Sequence, residues 1–126
     1  MTPVPANPAD RLLAARRIVE KIGSALFVES PTGALDRAWL GGLCEDVAVL
    51  HRAGKDVVIV SSGAVALGAR ELGLDVRRAR LEDSQAAAAA GQILLAHAYQ
   101  ETLRRFGIKT AQVLLTIDDS ESRKRY

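Results

Sequence analysis

Asp56-Val57-Val58-Ile59-Val60-Ser61-Ser62-Gly63-Ala64-Val65-Ala66-Leu67-Gly68 is the stretch on which the reading of this chain turns. The β-branched run Val57 to Val60 predicts a strand buried on both faces of a sheet. It passes directly into Ser-Ser-Gly-Ala, and Val65 to Leu72 is compatible with a helix. A strand that ends in a small-residue turn opening a helix is a ready anion site. Gly63 lets a ligand approach the backbone, and the helix N-terminus aims its unpaired N–H groups at negative charge. Ser61 or Ser62 can serve as the N-cap. The alternative is a βα junction that binds nothing. Gly63 and Gly68 have the separation of a Walker A loop, but Ala69-Arg70 follow where that loop has Lys-Ser/Thr.

Composition narrows the class of protein around this stretch. The 126 residues suffice for one domain, or part of a larger one, and 48% hydrophobic content is ordinary for a soluble chain. A formal charge of +2, from 17 basic and 15 acidic residues, argues for no nucleic-acid partner. The basic clusters Arg77-Arg78-Arg80, Arg104-Arg105 and Arg123-Lys124-Arg125 are interleaved with acids and read as solvated faces. Cys44 has no second cysteine to pair with, which fits a reducing cytosol, and it reads as a small core residue. With His51 and His97 it cannot make a structural zinc site. No apolar run reaches membrane-spanning length. Residues 1–16 read as a flexible lead-in, proline-rich up to Asp10 and without the basic n-region of a signal peptide.

Taken in order, residues 11–16 start a short helical turn. Ile18 to Ile22 reads as a strand, Gly23-Ser24-Ala25 as a small-residue loop, and Leu26 to Val28 as a second strand. Ser30-Pro31-Thr32-Gly33 is a turn. Asp36 is the expected N-cap of a helix through about Ala53, with apolar residues at Trp39, Leu40, Leu43, Val47 and Leu50, stopped by Gly54. The Asp56–Ser62 strand and the Val65–Leu72 helix follow, the latter stopped by Gly73. Glu82-Asp83-Ser84 opens a long helix from about Asp83 to Phe106. Its alanine run, Ala86 to Ala90, favours helix and allows a neighbouring backbone to come close. Lys109 to Leu115 reads as another strand, and Ile117-Asp118-Asp119-Ser120 as the cap of a last helical segment. Apolar strands alternating with helices argue an α/β fold: a three-layer α/β/α sandwich on a mainly parallel sheet.

Four stretches together resemble one family: RIVEKIGSAL (Arg17–Leu26), VVIVSSGAVALG (Val57–Gly68), QAAAAAGQ (Gln85–Gln92) and AQVLLTIDD (Ala111–Asp119), the last followed by Arg123-Lys124-Arg125-Tyr126. In this order and at these intervals they are similar to the N-terminal part of the glutamate 5-kinases, of the amino-acid kinase superfamily. The resemblance runs from about Arg17 to Tyr126 and makes 17–126 the N-terminal half of a kinase domain. It implies that ATP, with Mg2+, phosphorylates the side-chain carboxylate of L-glutamate to L-glutamyl 5-phosphate, the first step of proline synthesis. It further implies a cytoplasmic homo-oligomer, with proline as feedback inhibitor.

The same resemblance implies roles for individual residues. Lys21 meets the transferring phosphoryl group, and Gly23 and Ser24 offer backbone N–H groups to the ATP phosphates. Ser62, Gly63 and Ala64 hold glutamate. Phosphoryl transfer needs positioning and charge neutralisation more than covalent help, and these residue types suit it. Gln85 and Gln92 share a helix face and either line the glutamate site or hydrogen-bond within the fold. Asp118 and Asp119 are an N-cap pair or metal ligands, the cap being the simpler reading, and no metal ligand is assigned. His51 and His97 are left as surface or core-edge residues.

The sequence departs from the family pattern in two places. Glu20 stands where relatives have an apolar residue; facing a helix layer, it needs a place at the sheet rim or a basic partner. The family's later motifs, which complete the glutamate and adenine sites, are expected beyond Tyr126. The 126 residues alone are therefore expected to be inactive. The competing reading is a non-catalytic half-domain that associates through the Ala86–Leu95 helix.

Overall fold

The computed structural model of the chain describes residues 7–29 and 32–115. Its centre is a parallel pair of strands, β1 (Arg17–Ile22) and β2 (Asp56–Ser61), in the register Arg17 with Asp56 through Ile22 with Ser61. Parallel strands need a crossover. Here it carries the single-turn helix α2 (Ser24–Phe27) and the long helix α3 (Arg37–Arg52), after α1 (Pro8–Ala14) has led into β1. Two further helices follow β2: α4 (Ala64–Leu72) and α5 (Leu81–Arg104). The arrangement is α/β. Lys55 ties α1 to the start of β2, its Nζ donating to the carbonyls of Leu13 and Ala15 at 2.7 Å each.

The sequence explains where these elements stop and start. Asp36 caps α3 by accepting from the Trp39 N–H at 2.9 Å, as its position before the apolar run predicts. Gly73, at φ +66°, closes α4 in the left-handed conformation that a side chain disfavours. At the head of α5, Asp83 accepts from the Arg80 N–H at 3.1 Å, so the acidic first turn does open the helix, from Leu81 rather than Asp83.

The core lies on one face of the strand pair. Ile22 of β1 packs against Phe27, Leu40, Cys44 and Val47 from the crossover and Leu95, Ala98, Tyr99 and Leu103 of α5, and Ile18 on the same strand face is buried too. α4 and α5 meet backbone to backbone. A Cβ at Gly68 would land on the Ala87 carbonyl, and one at Gly91 on the Ala64 carbonyl. The alanine run therefore does what its small side chains suggest, with Ala87 buried under α4.

Several expectations are corrected. Leu26 to Val28 is no strand. Gly23 is extended and Ser24–Phe27 then turn once, the Val28 N–H closing on the Ser24 carbonyl at 2.9 Å. The turn drives Phe27 wholly out of solvent, stacked on Trp39 at 6.1 Å between ring centroids, a burial that outweighs local β-propensity. Val28 keeps only an isolated antiparallel bridge to Leu35. Within the stretch read as a flexible lead-in, Pro8–Ala14 is helical, capped by Asn7. Residues 109–115 form no strand: they pair with nothing among the described residues, and Val113, Leu114 and Leu115 stand exposed. β-propensity without a partner strand makes no ladder.

The Val57–Val60 run is not buried on both faces. Val57 and Ile59 turn toward the helices, while Val58 and Val60 are 44% and 50% exposed. Among the described residues no element covers that second face. The expected final helix, with Asp118 and Asp119, lies outside the described residues.

The α4–α5 contact makes a sharp prediction. Gly68→Ala forces the two helices apart and is expected to cost about 3 kcal/mol or more. Gly42→Ala, in a helix interior with open space where the methyl would go, is expected to gain about 0.5–1 kcal/mol. Urea unfolding of both variants beside the unsubstituted protein checks this. A Gly68→Ala variant of unchanged stability would contradict the packing.

Candidate functional site

Because β1 and β2 run parallel, their C-terminal ends lie side by side, and each feeds straight into a helix. In open α/β sheets ligands bind at such ends. The register places Lys21 beside Val60 and Ile22 beside Ser61. Lys21 is exposed and, by strand alternation, points away from the helices, on the open face with Val19 and Val60. Gly23 continues β1 in extended conformation, and the space a Cβ would take there is empty. Ser24 then begins α2.

The second strand end is stitched to the first. The Ser62 N–H donates to the Ile22 carbonyl at 3.0 Å, and the Ser62 hydroxyl donates to the same carbonyl at 3.3 Å. Ser62 is thus not the N-cap of α4, and neither is Ser61. Gly63 takes that position at φ +101°, with no side-chain cap. A Cβ there would come within 3.1 Å of the Ser24 Cβ and the Phe27 ring and 3.4 Å of Val28. Glycine is required twice over, by its dihedral and by its neighbours. Ala64 follows as the first residue of α4.

All the residues expected at the site from the sequence therefore fall in one cluster: Lys21, Gly23 and Ser24 at the end of β1, and Ser62, Gly63 and Ala64 at the end of β2. Gly63 against Ser24 is the seam between the two sets. An exposed ammonium and an open glycine backbone fit the phosphates of a nucleotide. Among the described residues there is no cluster of three or more His, Cys, Asp or Glu side chains that could hold a metal ion by themselves. Gln85 is exposed and Gln92 half-buried on α5, and neither side chain is hydrogen-bonded among the described residues, against the expectation of bonding within the fold. His51 and His97 are surface residues, His97 lying 4.0 Å from Glu101. No helix of the described residues is long and apolar enough to cross a membrane.

Sequence reasoning missed what lies beneath the cluster. The Tyr99 hydroxyl, on α5, donates to Ser61 Oγ at 3.2 Å. Tyr99 belongs to the buried face of α5 that includes Leu95 and Leu103, and helical spacing by itself says only that such a residue is core. Glu20 faces the same layer, half-buried, with no hydrogen bond or ion pair among the described residues. Of the two expectations, a place at the sheet rim or a basic partner, the described residues supply no basic partner. Burial, and then the neighbouring Asp46 carboxylate, raises its carboxyl above the usual value. Burial, with a smaller push from Glu20, lifts the Cys44 thiol to about 11, so it is a core residue rather than a nucleophile.

Glu20 gives a pH prediction. Its folded-state pKa lies above the unfolded value near 4.5, so its contribution to stability is intact below that value and is lost as pH rises through the folded pKa. Glu20→Gln is expected to raise the melting temperature at pH 7.5, with the gain vanishing at about pH 4. Thermal melts at the two pH values check it, and identical melting at pH 7.5 would mean that Glu20 is fully solvated.

Residues 16–126 match the amino acid kinase family. The glutamate 5-kinase of Caulobacter vibrioides (strain NA1000 / CB15N) is 58% identical over 113 residues, which are 90% of this chain and 30% of that protein. That of Ruegeria sp. (strain TM1040) is 58% identical over 115 residues, 91% of this chain and 31% of the relative. That of Paramagnetospirillum magneticum (strain ATCC 700264 / AMB-1) is 55% identical over the same length and shares. The chain thus spans about a third of the length of the curated relatives it matches. With the family match running from residue 16 to residue 126, the chain belongs to the amino acid kinase family.

Proposed function

We propose that the protein carrying this chain transfers a phosphoryl group from ATP to the side-chain carboxylate of L-glutamate, forming L-glutamyl 5-phosphate at the entry to proline synthesis. The observation that carries the reading is the seam at Gly63 and Ser24, which joins a lysine-bearing strand end to a serine-glycine helix start. Identities of 55–58% to glutamate 5-kinases support the substrate.

In this reading each residue has a separate task. Glutamate lies along Ser62, Gly63 and Ala64, where the backbone N–H groups at the start of α4 favour a carboxylate. The polyphosphate of ATP lies over Gly23 and Ser24, where no side chain blocks the backbone. Lys21 reaches across the β1–β2 seam and neutralises charge on the group in transit. ATP is the donor of that group, and Mg2+ arriving with the nucleotide would supply further positive charge. The exposed face of Val19, Val58 and Val60 suits a second helical layer, completing a three-layer α/β/α sandwich. Self-association, feedback by proline and a cytoplasmic location belong to the same proposal, as does the boundary that sets 17–126 apart as the N-terminal half of the kinase domain.

The test is a glutamate-dependent hydroxamate assay on the full-length protein and two variants. Lys21→Ala is expected to lower kcat about a hundredfold with little change in the KM for glutamate, because its ammonium meets charge that develops in the transition state. Ser62→Ala is expected to act mainly on the KM for glutamate, since it positions substrate in ground and transition states alike. An unchanged kcat in Lys21→Ala would overturn the role given to that lysine, and no glutamate-dependent turnover in the unsubstituted protein would overturn the function.

A further inference from the structure

Ser61 and Tyr99 form a hydrogen-bonded chain that ends on the backbone of the proposed glutamate site. The Tyr99 hydroxyl donates to Ser61 Oγ at 3.2 Å, and the Ser61 hydroxyl donates to the Ser62 carbonyl at 3.3 Å. Each hydroxyl in the chain has a consistent direction, and Ser61 both accepts and donates, an arrangement in which neighbouring bonds reinforce each other. Phenylalanine at position 99 would fill the same buried space. The tyrosine adds only the hydroxyl, and its one partner is the last residue of β2.

The consequence follows from peptide planarity. The Ser62 carbonyl and the Gly63 N–H belong to one rigid plane and point in opposite directions, so holding the carbonyl aims the N–H. Gly63 sits at φ +101°, in a region where glycine rotates freely and the preceding peptide can flip. The Ile22 carbonyl holds the N–H and the hydroxyl of Ser62 but leaves this plane free to turn. The Tyr99–Ser61 pair supplies the missing restraint.

We propose that Tyr99 is a positioning residue for glutamate, acting through Ser61 to fix the Ser62–Gly63 peptide so that the Gly63 N–H faces the substrate carboxylate. This rests on the glutamate-binding role proposed for Ser62 to Ala64. It does not involve Lys21 or the phosphate side of the site. Loss of the Tyr99 hydroxyl should therefore weaken glutamate and leave ATP alone.

The experiment measures steady-state kinetics and melting temperature of the full-length protein with Tyr99→Phe, Ser61→Ala, Ser61→Thr and the Tyr99→Phe/Ser61→Ala double variant. Tyr99→Phe and Ser61→Ala are each expected to raise the KM for glutamate about fivefold, equivalent to about 1 kcal/mol for one hydrogen bond. The KM for ATP should stay within about twofold. The double variant should be no worse than Ser61→Ala, because both remove one chain. Ser61→Thr, which keeps the hydroxyl, should restore most of the affinity. A lowered melting temperature with unchanged KM for glutamate, or equal losses for glutamate and ATP, would overturn the positioning role. If the unsubstituted protein turns over no glutamate, the functional reading fails and this inference with it; turnover with an unaffected Tyr99→Phe variant overturns the inference alone.

Discussion

Contact between the backbones of α4 and α5, at Gly68 against Ala87 and at Gly91 against Ala64, is the constraint on which the rest of this structure depends. Neither glycine has room for a single additional carbon. The contact fixes the height of α4 along α5, and the first residue of α4 is Ala64, one step from the Gly63 turn. The same contact fixes where the later turns of α5 fall. Leu95 and Leu103 enter the core beside Ile22, and Tyr99 reaches the end of β2. Packing of small residues thereby sets the position of the strand-end cluster.

Seen this way, the pairing of VVIVSSGAVALG with QAAAAAGQ in the family resemblance has a physical cause. The two stretches are one object in space. Gly63 serves the turn and Gly68 serves the helix contact, although they share one short motif. Gly91 and the alanine run serve the helix contact from the other side. A motif that reads as a ligand loop is thus, from Gly68 on, a helix packing surface.

Much of this was legible in the residues, and what was not has particular causes. The β-branched run gave β2, Asp36 gave the start of α3, Gly73 gave the end of α4, and the alanine run gave the close helix contact. The cluster of Lys21, Gly23 and Ser24 with Ser62 to Ala64 was legible only because several motifs were taken together; neither strand end alone says that the other lies beside it. Four things were hidden. Phe27 looked like a strand residue because its local sequence is apolar, and only the core below it rewards a helical turn. The Val57–Val60 run reads as doubly buried because composition reports what a surface prefers and not what covers it. Residues 109–115 read as a strand for the same reason, and β structure depends on a partner that no local pattern specifies. Tyr99 was invisible as a polar residue because an aromatic at helical spacing announces a core position and says nothing of where its hydroxyl ends.

The central claim is that the ends of β1 and β2 form one site, glutamate on Ser62 to Ala64 and phosphate on Lys21 to Ser24. A crystal structure of the full-length protein with glutamate and a non-hydrolysable ATP analogue tests it most directly. The account predicts the glutamate side-chain carboxylate within hydrogen-bond distance of the Gly63 and Ala64 N–H groups, with the terminal phosphate between it and the Lys21 ammonium. Glutamate bound elsewhere, such as in the cleft lined by Arg37, Arg70, Leu94 and His97, with the Gly63 turn empty, would contradict it.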